Sequence, residues 1–431
     1  MTRFESSLVR ALAILAAAAP LVPAGAQSLA QRVDAVRDGA IQFSYPVRDG
    51  VCGNGRSYIS TSPGSFTGNV QVVGGAPTER CEPGPARVII SRAGGVTTSI
   101  DAVVGPAAAA PSGVTDLGTV TGAQAHEYLL TQAARLDGKP GRDAILPAMI
   151  AEGAGASAPL VALARDRSRP LETRRSAITW IGRMSEAPGR PSGPAAGTLA
   201  EMARARDDAA AVRTQAISTL ARLGQGEGVP TLIEMTRTSD DSWLAEQAAT
   251  QLSRSGDPRA RQWLRAVVQA NETPDGIRQI AIRGLGGSYA TAEDMNLLRQ
   301  SYGRLESTAA RERVITTVST LGGRDNTQWL LGIARTPAEP VSLRRRALTA
   351  AEKGGATSAE LLGVYQSAGE RTMKLALIDL YARHDDRAMT DKLIEIAKGD
   401  EDNQVRRRAI TRLSSSKDPR AITALQEIIQ R

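Results

Sequence analysis

A period of about 33 residues runs through most of this 431-residue chain and constrains its fold more than any other feature. Aligned on the alanine of "RRRAI", Ala144, Ala177, Ala216, Ala248, Ala281, Val314, Ala347, Ala376 and Ala409 fall in register. Their separations are 33, 39, 32, 33, 33, 33, 29 and 33. The 39 contains the loop insertion "APGRPSGPAAG" at 187–197. Each copy reads as a first helix carrying the anchor ("VRTQAISTLARLG"), a turn, and a second helix ("ARQWLRAVVQA", "TQWLLGIAR", "AITALQEIIQ"). The turn often pairs Gly with Asp-Pro, as in "SGDPRA" at 255–260, or keeps Asp-Pro alone, as in "SKDPRA" at 416–421. Neither helix can bury its apolar stripe alone, so neighbouring copies must stack. Aromatic residues are only 3% of the chain, so Ala and Leu do the packing, which suits closely spaced helices.

The chain before the repeats follows other patterns. "MTRFESSLVR", then the apolar "ALAILAAAAPLV", then Ala24-Gly25-Ala26 ahead of Gln27 reads as a secretory signal peptide over 1–26, with an uncleaved anchor as the alternative. No later segment has the roughly 18 uninterrupted apolar residues of a membrane helix, so no transmembrane segment is expected after cleavage. The expected location is periplasmic or secreted. Residues 27–105 read as a small β-rich domain from "AIQFSYPV", "RSYIST", "GNVQVVGG" and "ARVIIS", with a hairpin turning at or beside Gly94-Gly95. Residues 106–121 read as a linker around "GPAAAAPSG", and helix begins at 122. Cys52 and Cys81 are the two cysteines. In an oxidising compartment they suggest one disulfide stapling the β domain, against the alternative of two free thiols. A metal site is poorly supported, because His126 and His384 are the only histidines and lie far away in sequence.

The repeats resemble HEAT-type repeats, in particular the short bacterial variety. The residues that carry the resemblance are "VRTQAISTLARLG" (212–224), "IRQIAIRGLGG" (277–287) and "VRRRAITRLSSSKDPRAITALQEI" (405–428). It covers roughly 140–431 and implies a mainly α fold: a right-handed α-solenoid of about nine two-helix repeats over 122–431, preceded by the β-rich domain. Second helices are expected to line its concave face. The resemblance is good evidence of fold and poor evidence of function.

Stepping about 100° per residue from Val405 places Arg406 inside the apolar face of its helix, with Arg407 and Arg408 outside it. The same inward slot, three residues before each anchor, holds Arg174, Arg213, Arg278, Arg311, Arg344 and Arg406, and departs at Gly141, Ala245 and Met373. A recurring inward arginine needs a carboxylate or exposed carbonyls beside it. Asp208, Asp275 and Asp402 lie just upstream in their units, and the resemblance implies an Asp–Arg ladder between neighbours. The outward Arg175, Arg345, Arg346, Arg407 and Arg408 are candidates for a stripe that meets an acidic partner, against the reading of a solvated face. Residues 27–140 hold nine basic and nine acidic side chains, so the positive excess of the exported chain lies in the repeats. Trp263 and Trp329 share one position in their second helices and are candidate partner contacts, or packing between repeats.

No catalytic motif is present: no GxSxG, HExxH, P-loop or paired CxxC. The expectation is a non-enzymatic exported scaffold, without cofactor or metal, that binds a protein or peptide through the concave face. An envelope-surface binder docking its basic stripe on anionic lipid or glycan is the alternative, and an unrecognised hydrolytic enzyme the third reading. Nucleic acid is not expected for an exported chain with few stacking aromatics.

Overall fold

The computed structural model describes residues 27–56, 59–61, 64–66, 81–106, 111–155, 158–185, 193–238 and 240–430. The predicted signal peptide at 1–26, the run at 68–75 and residues 187–192 of the insertion lie outside the described residues. The chain divides into two compact units, 1–184 and 185–431.

The first unit opens with α1 (Leu29–Asp34) and β1 (Gly39–Tyr45). β2 (Val51–Gly53), β3 (Ile59–Thr61) and β4 (Gly64–Phe66) form a small antiparallel sheet. β5 (Ala86–Ala93), β6 (Val96–Val104) and β7 (Val114–Thr119) join β1 in a four-stranded mixed sheet of order β6-β5-β1-β7. The β5–β6 hairpin turns at Gly94-Gly95 with φ of 59° and 82°, a left-handed pair that favours glycine. The alternation in "AIQFSYPV" puts Ile41, Phe43 and Tyr45 on one face, fully buried with Val88 and Ile90.

Helices complete this core. After β7 come α2 (Gly122–Arg135), α3 (Gly138–Asp143), α4 (Ile145–Ile150), α5 (Ala158–Arg165) and α6 (Leu171–Ser185). The Phe43 ring meets Tyr128 of α2 edge-on at 6.1 Å, and the Tyr45 hydroxyl donates to the Pro147 carbonyl at 2.7 Å. The stretch 106–121, read as a linker, contains β7, which pairs parallel to β1. It escapes sequence reading because its side chains are largely solvent-facing and its only stabilising pattern is backbone pairing at a sheet edge.

Sixteen helices among the described residues, α6 to α21, follow in eight successive pairs. They continue with α7 (Gly193–Arg204), α8 (Ala210–Leu220), α9 (Val229–Thr238), α10 (Ser242–Ser253) and α11 (Pro258–Gln269). α12 (Asp275–Leu285), α13 (Ala292–Ser301), α14 (Thr308–Leu321), α15 (Arg324–Arg335) and α16 (Val341–Lys353) come next. α17 (Ser358–Leu362), α18 (Arg371–Tyr381), α19 (Arg387–Gly399), α20 (Asn403–Leu413) and α21 (Pro419–Ile429) end the array. The even-numbered members are the first helices. Asp-Pro fixes two second helices: Asp257 and Asp418 cap α11 and α21, with Pro258 and Pro419 as first residues. Gly284 lets α12 approach α10, since a Cβ there would stand 2.9 Å from Ser253 Cα.

Two anchors depart from the aligned pattern. Ala144 falls at the junction of α3 and α4, so its copy has no continuous first helix. Ala376 is half-buried, and Leu377 takes the fully buried place in α18. The unit spacing of 29 therefore conceals a one-residue slip.

Cys52 and Cys81 form a disulfide across a separation of 29 residues. Beside it Gly53 and Glu82 exchange two backbone hydrogen bonds, at 3.0 and 2.8 Å. Replacing both cysteines by serine is expected to cost about 3–4 kcal/mol through the freed denatured chain. Calorimetry of the full chain, with and without the bond, checks this as a lowered transition of the first unit alone.

Candidate functional site

The first helices are registered by a basic side chain in one recurring slot. In three repeats its Nε donates to the carbonyl ten residues earlier: Arg174 to Ala164 at 2.9 Å, Arg213 to Ala203 at 2.9 Å, and Arg344 to Ala334 at 3.1 Å. Each acceptor is the penultimate residue of the second helix of the preceding copy, where carbonyls lack helical partners. Arg278 serves the same end of α11 through the carbonyls of Ala270 and Asn271, at 2.7 and 2.9 Å. Arg406 donates to the carbonyl of Asp400 after α19.

The guanidinium then reaches forward. Arg213 pairs with Asp241, the cap of α10. Arg311 pairs with Glu339 at 2.5 Å, and Arg344 with Glu370, the cap of α18, at 2.6 Å. The aligned departure at Met373 is explained by the slip at Ala376. Counted from Leu377 the slot is Lys374, which pairs with Asp400 at 2.8 Å. The carboxylate thus comes from the following repeat, a ladder between neighbours, although Asp275 and Asp402 are not themselves the partners of the slot arginines. Asp275 accepts from Gln279 and Ser307, and Asp402 accepts from Arg371 of the preceding repeat. Asp208 accepts from the amide of Ala209 as well as making other contacts. Arg406 is half-exposed and has no carboxylate partner among the described residues. Its other terminal nitrogen donates to the Asn403 side-chain oxygen.

Burial varies with the completeness of each rung. Arg344 is fully buried and Arg174 and Arg213 nearly so, whereas Arg278 and Arg311 are half-buried. Burial works against the charge on Asp241, but the bonds from Arg213 and from the Leu244 amide outweigh it and hold its pKa below the usual range. Asp400 is likewise buried, and Lys374 and the Tyr365 hydroxyl lower its pKa. A second rung links second helices, where the fully buried Asp294 of α13 takes Arg261 and Arg265 of α11. Glu360 accepts from the Thr357 amide and from Arg324, and is pulled down to about 2.

Trp263 is 5% exposed, and Trp329 packs edge-on against Tyr302 at 5.3 Å. Both serve packing in the second-helix layer. Of the outward arginines, Arg175 pairs with Glu172 at 2.9 Å and Arg346 with Glu312 at 3.1 Å. Arg408, read as free, grips Asp379 through Nε at 2.8 Å and Nη2 at 2.7 Å. Arg412 adds a third bond to the same carboxylate at 2.9 Å. Arg408 leads the interactions that hold Asp379 ionised, against partial burial.

Arg345, Arg346, Arg407 and Arg408 are brought together by two adjoining recesses. One, of about 570 Å³, is lined by Glu312 of α14, Arg345, Arg346 and Lys353 of α16, Asp379 of α18, and Arg383. The other, of about 620 Å³, is lined by Arg345, Asp379, Arg407 and Arg408 with neutral residues between. Together they carry six cations and two carboxylates, so a local positive excess remains after the ion pairs are counted. Arg345, Lys353 and Arg407 have no ion-pair partner among the described residues. The recesses lie along first helices, not the second helices expected to carry the binding face. The Lys353 and Arg383 walls were missed because neither follows the repeat position of the "RRR" triplet. His126 Nδ1 lies 2.8 Å from the Ala148 carbonyl and His384 Nε2 lies 2.9 Å from Glu352. Among the described residues no three His, Cys, Asp or Glu side chains are grouped to hold a metal ion.

Residues 196–286, spanning α7 to α12, match the family described as HEAT repeats. No curated protein sequence matches the chain at a significant level. Among solved structures, human deoxyhypusine hydroxylase in complex with glycerol is 19% identical, with a TM-score of 0.26. That match covers 54% of this chain and 88% of the other. Lipovitellin is 11% identical with a TM-score of 0.43, covering 89% of this chain and 45% of the other. The complex of CpcE and CpcF of phycocyanin lyase from Nostoc is 17% identical with a TM-score of 0.27, covering 59% and 92%. These likenesses transfer no activity to this chain.

The ladder makes a graded prediction. Arg344→Ala removes a buried cation with a carbonyl and a carboxylate partner and is expected to cost about 3 kcal/mol. Arg406→Ala, at a half-exposed rung without a carboxylate, is expected to cost under about 1 kcal/mol. Urea midpoints of the two variants check the ratio. Acid should act on the same network. The carboxylates have folded pKa values below their unfolded ones, so their stabilisation is complete above the unfolded pKa and is lost as pH falls. For Glu360 that window runs from 4.5 down to about 2. A pH titration of thermal stability should fall across this range, and a Glu360→Gln variant should fall less steeply.

Proposed function

We propose that this chain is a non-catalytic scaffold that binds an acidic segment of a partner protein in the groove along first helices α14, α16, α18 and α20. The observation that carries the reading is the pair of recesses with six cations against two carboxylates, in which Arg345, Lys353 and Arg407 lack ion-pair partners among the described residues. HEAT repeats generally serve as protein-binding scaffolds, and the chain contains such repeats over 196–286. A preformed groove on stacked helices offers contact area at little ordering cost. The free cations lie in recesses, which a peptide segment enters more readily than a lipid surface does. In support of a non-catalytic role, the shifted carboxylates Asp241, Asp294, Asp379 and Asp400 are each held by basic side chains of neighbouring helices.

We place this activity in an oxidising, exported compartment. The disulfide supports that placement, as does the leader pattern at 1–26. No helix among the described residues is long and apolar enough to cross a membrane.

Fluorescence anisotropy with a labelled Glu/Ser peptide tests the reading on the full chain. Binding is expected at low ionic strength and should weaken about tenfold as salt shortens the Debye length to about 8 Å. The double variant Arg345→Glu/Arg407→Glu should abolish it with an unchanged circular dichroism spectrum. Unchanged peptide affinity in that variant would place the acidic site elsewhere.

A further inference from the structure

We propose that the recess spanning α16, α18 and α20 reads two acidic side chains on one extended segment, set about six residues apart. This rests on the reading that the groove takes an acidic partner, and adds which residues read it and in what geometry. The recess of about 620 Å³ is bounded by Arg345 on α16 and Arg407 on α20. Both side chains are exposed, and neither has an ion-pair partner among the described residues. Between them α18 contributes the uncharged Thr372, Leu375 and Ala376, and Asp379, whose carboxylate is held by arginines of α20. Arg408, which also lines the recess, is already engaged with Asp379 and shares it with Arg412. The free positive charge of the recess is therefore concentrated at its two edges.

Geometry sets the spacing. Packed helices lie about 8–10 Å apart, so two steps from α16 to α20 span about 16–20 Å between axes. An extended chain rises about 3.3–3.6 Å per residue and covers that distance in about five or six residues. A helical ligand would need about twelve residues at 1.5 Å each and a diameter of about 10–12 Å, which suits a shallow recess less well. Each guanidinium can bind a carboxylate through two parallel N–H bonds, a geometry that an ammonium does not reproduce. Thr372, Gln404 and Thr411 line the same recess and supply neutral hydrogen-bonding groups for the backbone of the segment.

The test uses the full chain and labelled Gly/Ser peptides carrying one glutamate, or two separated by about two, six or ten residues. In anisotropy titrations at fixed low salt, the peptide with the intermediate spacing should bind about tenfold more tightly than the single-glutamate peptide, because the second contact becomes intramolecular. Arg345→Ala or Arg407→Ala should each reduce that peptide to single-glutamate affinity, whereas Arg175→Ala in the other unit should leave it unchanged. Both target residues are exposed, and circular dichroism confirms folding of the variants. Equal affinity for all two-glutamate peptides would overturn the spacing while leaving an acidic-partner groove in place. Binding to phosphatidylglycerol vesicles with no binding of any peptide would overturn both readings.

Discussion

The arrangement of the repeats depends on a basic side chain buried between helix ends. In its complete form, at Arg213 and Arg344, one guanidinium touches three successive repeats. Nε satisfies a carbonyl at the end of the helix before, the side chain lies in its own first helix, and the terminal nitrogens meet a carboxylate at the start of the next. A helix C-terminus attracts a cation, and a helix N-terminus tolerates an anion, so the rung joins two ends whose dipoles favour the charges it brings. Arginine suits this role because its planar fork offers five donors at fixed directions. Lys374, a point charge, makes the forward contact to Asp400 and lies over the Tyr365 ring.

This use of arginine separates structural charge from available charge. The inward member of each basic run is consumed by the ladder, and the next two positions turn away from the core. Local neighbours decide what happens there. Arg346 meets Glu312 across the first-helix layer, and Arg408 shares Asp379 with Arg412. Arg345 and Arg407 have no ion-pair partner among the described residues, and they border one recess. These two unpaired cations at the borders of one recess give the groove its chemical character.

Much of the fold was readable because it rests on local pattern. The 33-residue period, the buried anchors, the Asp-Pro helix starts and the glycine hairpin all express short-range rules of burial, capping and turn geometry. The errors arose where the deciding contact is long-range. β7 is a strand only because β1 lies beside it, and its own side chains carry little signal. The slip at Ala376 was invisible because alanine is acceptable both in a core and on a recess floor, whereas Leu377 shows its burial only in the folded chain. The individual partners of the ladder were not readable because each carboxylate lies 26–28 residues downstream of its arginine, in the next repeat.

By itself the sequence determined that the chain builds stacked helix pairs, which side chain of each basic run turns inward, and that two cysteines stand ready to staple the β-rich region. Those follow from periodicity and from side-chain chemistry, which act within a repeat. Only the tertiary structure decided which carboxylate each arginine meets, which outward arginines are neutralised, and on which layer the recesses open. Those are properties of neighbouring repeats in contact, and an ion pair across a helix interface depends on a register of a few ångströms that no spacing within one repeat specifies.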